Sequence, residues 1–237
     1  MPRVLIALAL LPLLAGGAPV PKHRPALGVF GGLCEPSTKC QFEVNGGNAL
    51  TITLPADLPK AEPDEAGPIR LLASRAVEGD FVLTVKVAVT PAVPGSSKFP
   101  EHQWAAGMGV TAVGDPGLGA AVLAGQETWG RDVNAVGLFR YSRHVQPRLA
   151  GTAGSQGART DLKGDSPLWL RLTRRGETVK GEWSEDGKEW VRIYDTTLPN
   201  LPSSVVFGPL VAKQVAVEVT ATLDEYEIEL LPQNPKK

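Results

Sequence analysis

Aromatic and planar polar side chains gather in one region of the sequence, and together they suit carbohydrate binding. Sugar rings present apolar C–H faces that stack on indole and phenol rings, and their hydroxyl groups bond to amide, guanidinium and carboxylate groups. A polar and aromatic segment of this kind, interpreted as a loop, runs from Gln126 to Trp129. The candidate ligand-binding residues are Trp104, Gln126, Glu127, Trp129, Arg140, Tyr141, His144, Trp169 and Arg171.

For several of these residues the sequence also allows a purely structural role instead of ligand binding. The indoles of Trp104 and Trp129 are large enough to serve as core residues. Arg171 and Arg174 can cover the surface of a sheet with their aliphatic stems. Trp169 and Arg171 occupy the side of a predicted strand opposite its leucines, so we expect them to line the same surface as the other candidates.

Catalysis has less support in the sequence than binding, because a glycosidase needs two carboxylates that face one cleft. The acidic residues from Asp224 to Glu229 alternate in part with apolar ones, as on the solvated face of a strand. Glu182, Glu185, Asp186 and Glu189 are predicted to cluster at a hairpin tip. We therefore assign no catalytic residue. Convergence of Glu127 or Asp132 with another acid would instead indicate an enzyme.

Histidine and cysteine do not form a catalytic or metal-binding motif in this sequence. His23, His102 and His144 are not accompanied by a Gly-x-Ser-x-Gly nucleophile motif. The cysteines Cys34 and Cys40 have no nearby histidine pair, so they are a poor zinc site. The sequence accordingly indicates neither a cofactor nor a bound metal.

The stretch Pro167–Tyr194 predicts three short strands joined by two tight turns. Leucines alternate with polar residues from Leu168 to Leu172, which is the period-two pattern of a strand with one buried face. Gly176 and Gly187 occupy turn positions that require a positive φ, and Asp186 can bond back to its own turn. The two tryptophans expected in the core of this stretch are Trp183 and Trp190.

Short alternating segments recur along the rest of the chain, and no amphipathic helix is predicted. This pattern is typical of an all-β protein, here an antiparallel β-sandwich with a jelly-roll-like topology. Residues 151–163 are poor in apolar side chains and predict a flexible connection. The other predicted strands are 41–44, 49–54, 70–76, 81–87, 104–113, 118–124, 134–141, 205–211 and 215–230, the last with a bend at 223–225.

The N-terminal residues have the features of an export signal. Arg3 precedes an apolar run that is too short to span a membrane, and small residues up to Ala18 suit a cleavage site. We therefore predict a signal peptide over residues 1–18 and a secreted or periplasmic protein. An N-terminal arm over residues 19–48, with a Cys34–Cys40 disulfide, would precede the sandwich domain, residues 49–231.

The charge balance limits the expected partners. The chain of 237 residues has 24 Lys and Arg against 25 Asp and Glu, for a formal net charge of -1. This balance gives no reason to expect nucleic acid or an anionic membrane as a partner. The aromatic and polar candidates instead fit a polysaccharide or another glycan.

Several of these segments together resemble a known superfamily. The motif residues are Trp169–Leu172, Arg174, Gly176 and Ser184-x-Asp186-Gly187-x-x-Trp190, with supporting segments at 78–81, 207–209 and 226–228. They are similar to the concanavalin A-like lectin/glucanase superfamily, and nearest to its uncharacterised-domain group related to the C-terminal module of β-xylosidases. The resemblance spans roughly residues 50–230 and implies that the region from Trp104 to His144 supplies the concave sheet and its rim.

The superfamily includes carbohydrate-binding modules, enzymes and domains of unknown role, so the resemblance leaves three functions open. The favoured one is a secreted, non-catalytic β-sandwich that binds carbohydrate or another extracellular ligand on its concave face. A glycoside hydrolase or lyase would need two carboxylates about 5–10 Å apart in that face. A structural or interaction module of the cell envelope would have a flat, polar face. Calcium occurs in the superfamily, but no Asp- or Asn-rich loop here identifies a site for it.

Overall fold

The described part of the chain consists almost entirely of β-strands. The structure is a computed structural model that describes residues 27–33, 40–57, 71–91, 103–129, 140–150, 160–162, 167–213 and 218–232. In chain order the strands are β1 (Gly32–Leu33), β2 (Gln41–Asn45), β3 (Ala49–Leu54), β4 (Ala73–Glu78), β5 (Phe81–Pro91), β6 (Gln103–Ala112), β7 (Asp115–Trp129), β8 (Arg140–Ala150), β9 (Thr160–Leu162), β10 (Leu168–Arg175), β11 (Thr178–Ser184), β12 (Val191–Thr197), β13 (Ser204–Lys213) and β14 (Val219–Leu230).

The strands of the described residues form two seven-stranded sheets. The first sheet has the order β1-β4-β13-β6-β7-β8-β9, and the second has the order β12-β11-β10-β5-β14-β3-β2. Every recorded pairing between neighbouring strands is antiparallel. The prediction of an antiparallel β-sandwich is confirmed.

The main core lies between the two sheets. Phe207 of β13 packs there with its ring centroid 6.2 Å from that of Phe81 and 6.1 Å from that of Tyr226. Alternating residues of β5 and β10 contribute to this core from the second sheet, and among them Leu83 and Leu170 are fully buried. The first sheet also carries a smaller apolar cluster, separate from the main core, which consists of Leu71, Ala121, Leu123 and Leu210.

The three-stranded meander predicted for Pro167–Tyr194 is present as β10, β11 and β12. Gly176 has a φ of 57° and Gly187 a φ of 74°, so both glycines take the positive φ that their turns require. β11 pairs with β10 on one side and with β12 on the other, with a bulge after Gly181. The indole of Trp183 is buried in the core, as the alternation predicts.

Asp186 organises the second of these turns through its Oδ1 atom. That oxygen accepts hydrogen bonds from the Lys188 amide at 2.8 Å, the Ser184 hydroxyl at 2.9 Å and the Glu189 amide at 3.0 Å. The amide of Glu189, then that of Lys188, then the Ser184 hydroxyl lower the pKa of the Asp186 carboxyl to about 2. The turn therefore prefers Asp186 in its ionised form.

Because of this preference, the free energy of unfolding should vary with pH in the acid range. An aspartate of an unfolded chain has a pKa of about 4, so Asp186 contributes stability above that pH and loses it as the pH falls toward its folded value. We expect the stability difference between the wild type and Asp186→Asn to shrink over this interval, measured by denaturant unfolding at several pH values. An Asp186 carboxyl that titrates in NMR spectra like a free aspartate would contradict the prediction.

The bend predicted near residues 223–225 is confirmed as a β-bulge in β14. The pairing of β14 with β5 shifts between Asp224 and Glu227, and Glu225 has a φ of 49°. The extra residue lets Tyr226 return to the core, where it is 5% exposed. The bulge also leaves Glu225 on the surface.

Several described residues of the N-terminal segment 19–48 pack against the sandwich. Leu27 and Phe30 are buried in the main core, β1 pairs with β4, and β2 pairs with β3. Two apolar residues among the prolines and glycines of this segment therefore have a place between the sheets. Cys40 packs against the core. Cys34 and the predicted signal peptide lie outside the described residues, so the disulfide and the cleavage near Ala18 stay predictions.

Some strand boundaries differ from those predicted. β7 extends to Trp129, so the segment interpreted as a polar loop is the end of a strand. The predicted strand at 134–141 reaches the described residues only at its end, where β8 begins at Arg140. β9 falls within the predicted flexible connection and pairs with β8. Backbone pairing places residues 126–129 and 160–162 in the first sheet, although neither segment contains a strong apolar alternation.

Arg174 is buried rather than spread over the sheet surface. It continues the core-facing series of Leu168, Leu170 and Leu172, and it is 2% exposed. Its guanidinium group donates to the backbone carbonyls of Gly176, Ser203 and Pro202. The prediction that Arg174 covers the sheet surface with its aliphatic stem is therefore wrong. Three backbone carbonyls at this end of the sandwich accept from its guanidinium group, which allows the side chain to be buried.

Candidate functional site

The register of the first sheet brings together the seven predicted ligand-binding residues between Trp104 and His144. β7 lies between β6 and β8, and all seven residues belong to the same end of these three strands. The directly opposed pairs are Trp104–Gln126, Thr128–Tyr141, Trp129–Arg140 and Gly125–His144. Residues that are far apart in the sequence therefore share one small area of the sheet.

Strand alternation divides these positions between the two faces of the sheet. Ala106 and Ala124 are an opposed pair in the main core. Trp104 and Gln126 lie two residues further along their strands, so they occupy positions of the core-facing series, as does Tyr141 by its pairing. The intervening positions belong to the outer face, and we call them the strand-end patch: Glu127, Trp129, Arg140 and His144.

The strand-end patch has one acidic position beside it. β9 places Asp161 directly opposite His144. Glu127 lies opposite Gln103 on one side and Ser142 on the other, neither of which is acidic. Asp132 lies outside the described residues.

Trp169 and Arg171 do not join this patch. They belong to β10 in the second sheet, whereas β6, β7 and β8 belong to the first. Because the leucines that alternate with them are buried between the sheets, Trp169 and Arg171 are on the outer face of the second sheet. The expectation that they line the same surface as Trp104 to His144 is therefore wrong, since alternation along a strand does not reveal which sheet the strand joins.

The outer face of the second sheet contains a polar basin of about 390 Å³. Val82 and Thr173, which face each other across β5 and β10, form its floor. Arg171, Arg175 and Lys180 bring three positive charges to its lining. The carboxylates of the lining belong to Glu182, Asp195 and Glu229.

Glu182 connects two of these cations. It is 4% exposed, and its carboxylate accepts from Arg171 Nε at 2.8 Å and from Lys180 Nζ at 2.6 Å. Burial raises the pKa of Glu182, but the hydrogen bonds and charges of Arg171 and Lys180 outweigh burial and lower that pKa below its usual value. Glu182 belongs to β11, so its predicted place at a hairpin tip is wrong.

Arg171 is fixed from a second direction by Trp190. The guanidinium carbon lies 4.0 Å from the centroid of the indole ring, which is a cation–π contact. Trp190 is partly exposed, so its expected place in the core is wrong. The cation–π contact with Trp190 and the hydrogen bond to Glu182 together hold the Arg171 guanidinium in one orientation in the lining of the basin.

Trp169 is engaged in a separate cluster on the same face. Its Nε1 atom donates to Glu225 at 3.2 Å, and Lys86 Nζ lies 4.5 Å from the ring centroid. Lys86 also bonds to Glu225 at 2.8 Å. The hydrogen bond from Lys86, followed by that from Trp169, lowers the pKa of the Glu225 carboxyl. This cluster joins the β-bulge of β14 to β5 and β10.

Sequence reasoning missed most of the basin. Thr173 and Arg175 have the same alternation as Arg171, so a signal for them exists in the sequence of β10. Lys180, Asp195 and Glu229 come from other strands, and only the register reveals them. Acidic residues near the C-terminus were interpreted as a solvated face, which does not distinguish Glu229 from its neighbours.

The described residues contain no group of three or more His, Cys, Asp or Glu placed to hold a metal ion. No helix in this part of the chain is long and apolar enough to cross a membrane.

Comparison with known proteins identifies the fold. The sequence matches no protein-family model and no curated protein sequence. A functionally unknown protein from Saccharomyces cerevisiae is similar in structure, with a TM-score of 0.54 at 16% identity over 82% of this chain and 98% of that chain. A GH43 protein from Bacillus licheniformis gives a TM-score of 0.51 at 13% identity over 81% of this chain and 35% of that chain.

The chain thus spans about a third of the length of the GH43 protein. A second structure from the same organism gives a TM-score of 0.50 at 12% identity over 77% of this chain and 33% of that chain. At these identities the likeness defines the fold alone. The fold is a concanavalin A-like β-sandwich, as the resemblance of the hairpin motif predicted.

Proposed function

We propose that the protein is a secreted, non-catalytic β-sandwich that binds carbohydrate through the strand-end patch of its first sheet. One observation carries this proposal: the register places Trp129 opposite Arg140, with Glu127 and His144 at neighbouring positions of the same face. Tryptophan, arginine, glutamate and histidine at neighbouring positions are the residue types that offer the stacking and hydrogen-bonding groups that a sugar ring requires.

The fold supports the proposal in a general way. The hairpin motif resembles a superfamily that includes carbohydrate-binding modules, and one structural relative is a GH43 protein. The same resemblance implies that the region from Trp104 to His144 belongs to the concave sheet. Secretion is proposed from the predicted signal peptide, and N-terminal sequencing of the exported protein would test cleavage near Ala18.

A second candidate function, a glycoside hydrolase or lyase, is favoured by the pairing of His144 with Asp161. Histidine and aspartate are residue types that can supply a general base, and Glu127 occupies a nearby position of the same face. The described register gives Glu127 no acidic partner directly opposite, so the two-carboxylate arrangement of a glycosidase finds no support there. Binding therefore remains the first proposal.

Replacing Trp129 by alanine is expected to weaken glycan binding by about tenfold or more, because a central aromatic residue commonly contributes about 2 kcal/mol to such a contact. A glycan array identifies the polysaccharide, and affinity electrophoresis with that polysaccharide measures the loss. Trp169→Ala is the matched control, since it removes an indole from the second sheet and should bind as the wild type does.

Three results separate the candidate functions. Glycan binding that survives in Trp129→Ala and is lost in Trp169→Ala would move the site to the second sheet. Shortening of the bound polysaccharide by the wild type, with loss of that activity in His144→Ala, would replace the binding proposal by the enzyme. A protein that retains no polysaccharide at all would contradict both and favour the envelope module.

A further inference from the structure

We propose that the polar basin on the second sheet is a second ligand site, and that it takes a sugar carrying one carboxylate, such as a uronic acid residue of an oligosaccharide. The basin lies in the opposite sheet from the strand-end patch. The inference therefore does not depend on the proposed function of that patch.

The shape of the basin follows from the sizes of the side chains in β10. Thr173 is short and lies midway between Arg171 and Arg175, which are about 13 Å apart along a strand that rises about 3.3 Å per residue. Val82 continues the low floor onto β5. A volume of about 390 Å³ falls within the range of roughly 300–1,000 Å³ that is usual for small-molecule sites.

Arg171 is oriented before any ligand arrives. Glu182 binds its Nε atom, which leaves the terminal nitrogens of the guanidinium group outside that bond. Trp190 supports the flat face of the same group at 4.0 Å. A guanidinium held in this way loses little freedom on binding, and its geometry matches the two oxygens of a carboxylate.

The charges of the basin favour one anionic group at its centre. Glu182 is shared by Arg171 and Lys180, so these three residues together keep one positive charge. Arg175 adds a second positive charge on the other side of Thr173. The central part of the basin can therefore neutralise a carboxylate.

The margins of the basin favour hydroxyl groups instead. A continuous row of cross-strand neighbours runs Glu229–Val82–Thr173–Lys180–Asp195. The backbone positions at the ends of this row lie about 19 Å apart, at about 4.8 Å per strand, and the carboxylates of both end residues can accept hydrogen bonds. A phosphate ion offers them no array of hydroxyl donors, and a neutral sugar offers no partner to the central cations. A uronate sugar satisfies both.

Titration with glucuronosyl-xylotriose, a xylotriose that carries one glucuronate residue, tests the proposal. The wild type is expected to bind it with an affinity that falls as salt is raised, and NMR shifts should appear at the Thr173 and Lys180 amides. Arg175→Gln should weaken binding about tenfold or more, the scale of one lost charge-assisted hydrogen bond. Thr173→Met, which raises the floor without changing charge, should also weaken binding.

Two controls make the result specific. Lys188→Gln removes a positive charge from an exposed turn outside the basin, and it should bind as the wild type does. Trp129→Ala should keep its affinity for glucuronosyl-xylotriose even if it loses the glycan of the first sheet, so the two proposals fail separately. Circular dichroism spectra establish that each variant is folded.

The proposal is overturned if Arg175→Gln and Thr173→Met bind glucuronosyl-xylotriose like the wild type, or if the wild type does not bind it. Equal affinity for neutral xylotriose would show that the carboxylate is not recognised. Displacement of glucuronosyl-xylotriose by inorganic phosphate at comparable concentrations would assign the basin to a simple anion and would equally overturn the proposal of a sugar ligand.

Discussion

Replacement of Arg174 by alanine is expected to lower the free energy of unfolding by about 3–5 kcal/mol. Arg174 is 2% exposed, and its Nε donates to the Gly176 carbonyl at 2.9 Å and its Nη1 to the Ser203 carbonyl at 2.8 Å. Its Nη2 donates to the Pro202 carbonyl. Without this side chain the three carbonyls lose their donor, and the space that the buried stem of Arg174 fills is left empty, which for a buried side chain costs about 2–5 kcal/mol.

The effect is large because Arg174 joins the two sheets at one end of the sandwich. Its own strand, β10, lies in the second sheet, while Pro202 and Ser203 lead into β13 of the first. Burial lowers the pKa of the guanidinium, and the charge of Asp80 opposes that change. The Asp80 carboxylate also accepts a hydrogen bond from the Gly176 amide at 2.7 Å. Asp80 and Arg174 therefore bond to the backbone of the same residue in this turn.

Equilibrium unfolding in denaturant measures this loss, and the next residue supplies the control. Arg175→Ala removes the same charge from an exposed position and should change stability by less than about 0.5 kcal/mol. Arg174→Met keeps part of the apolar stem, so a value between those of the wild type and Arg174→Ala would separate packing from hydrogen bonding. Equal stability of the Arg174 and Arg175 alanine variants would disprove the role assigned to Arg174.

Period-two alternation made most of the fold predictable. Wherever one face of a strand is buried, as in Leu168–Leu172 or Phe81–Val87, the sequence records it directly. The turns at Gly176 and Gly187 were predictable because few residues tolerate a positive φ. Burial of Arg174 was not predictable, since two of its three acceptors are backbone carbonyls of a distant loop, and a carbonyl has no signature in the sequence.

The candidate sites were less predictable, because they depend on register between strands that are far apart in the chain. The strand-end patch was found from residue type alone, and the register then brought its members together. The basin combines Arg171 with Lys180 and Glu229, and placing them together requires knowing that β11 pairs with β10 and that β5 lies between β10 and β14. Sheet membership also explains why Trp169 was assigned to the wrong surface.

Gly208→Ala is expected to destabilise the protein by about 3 kcal/mol or more, the upper part of the range for overpacking. A Cβ atom at this position would lie 1.8 Å from the carbonyl oxygen and 2.9 Å from the carbonyl carbon of Ala73. Both atoms belong to the backbone of β4, which lies between β1 and β13 in the first sheet. No rotamer change relieves such a contact, so one strand must move away from the other.

Movement of β13 would also disturb the core, because Phe207 precedes Gly208 and packs between the sheets. Each 1 kcal/mol corresponds to about 2–4 °C in a protein of this size, so thermal unfolding should show a fall in Tm of about 6–12 °C. Gly32→Ala is the matched control, because a Cβ there meets nothing within 4 Å. If both variants unfold at the wild-type temperature, the close approach of β13 to β4 is not a constraint on the sequence. If Gly208→Ala yields no folded protein while Gly32→Ala folds normally, that result would also support the prediction that Gly208 is required for the close approach of β13 to β4.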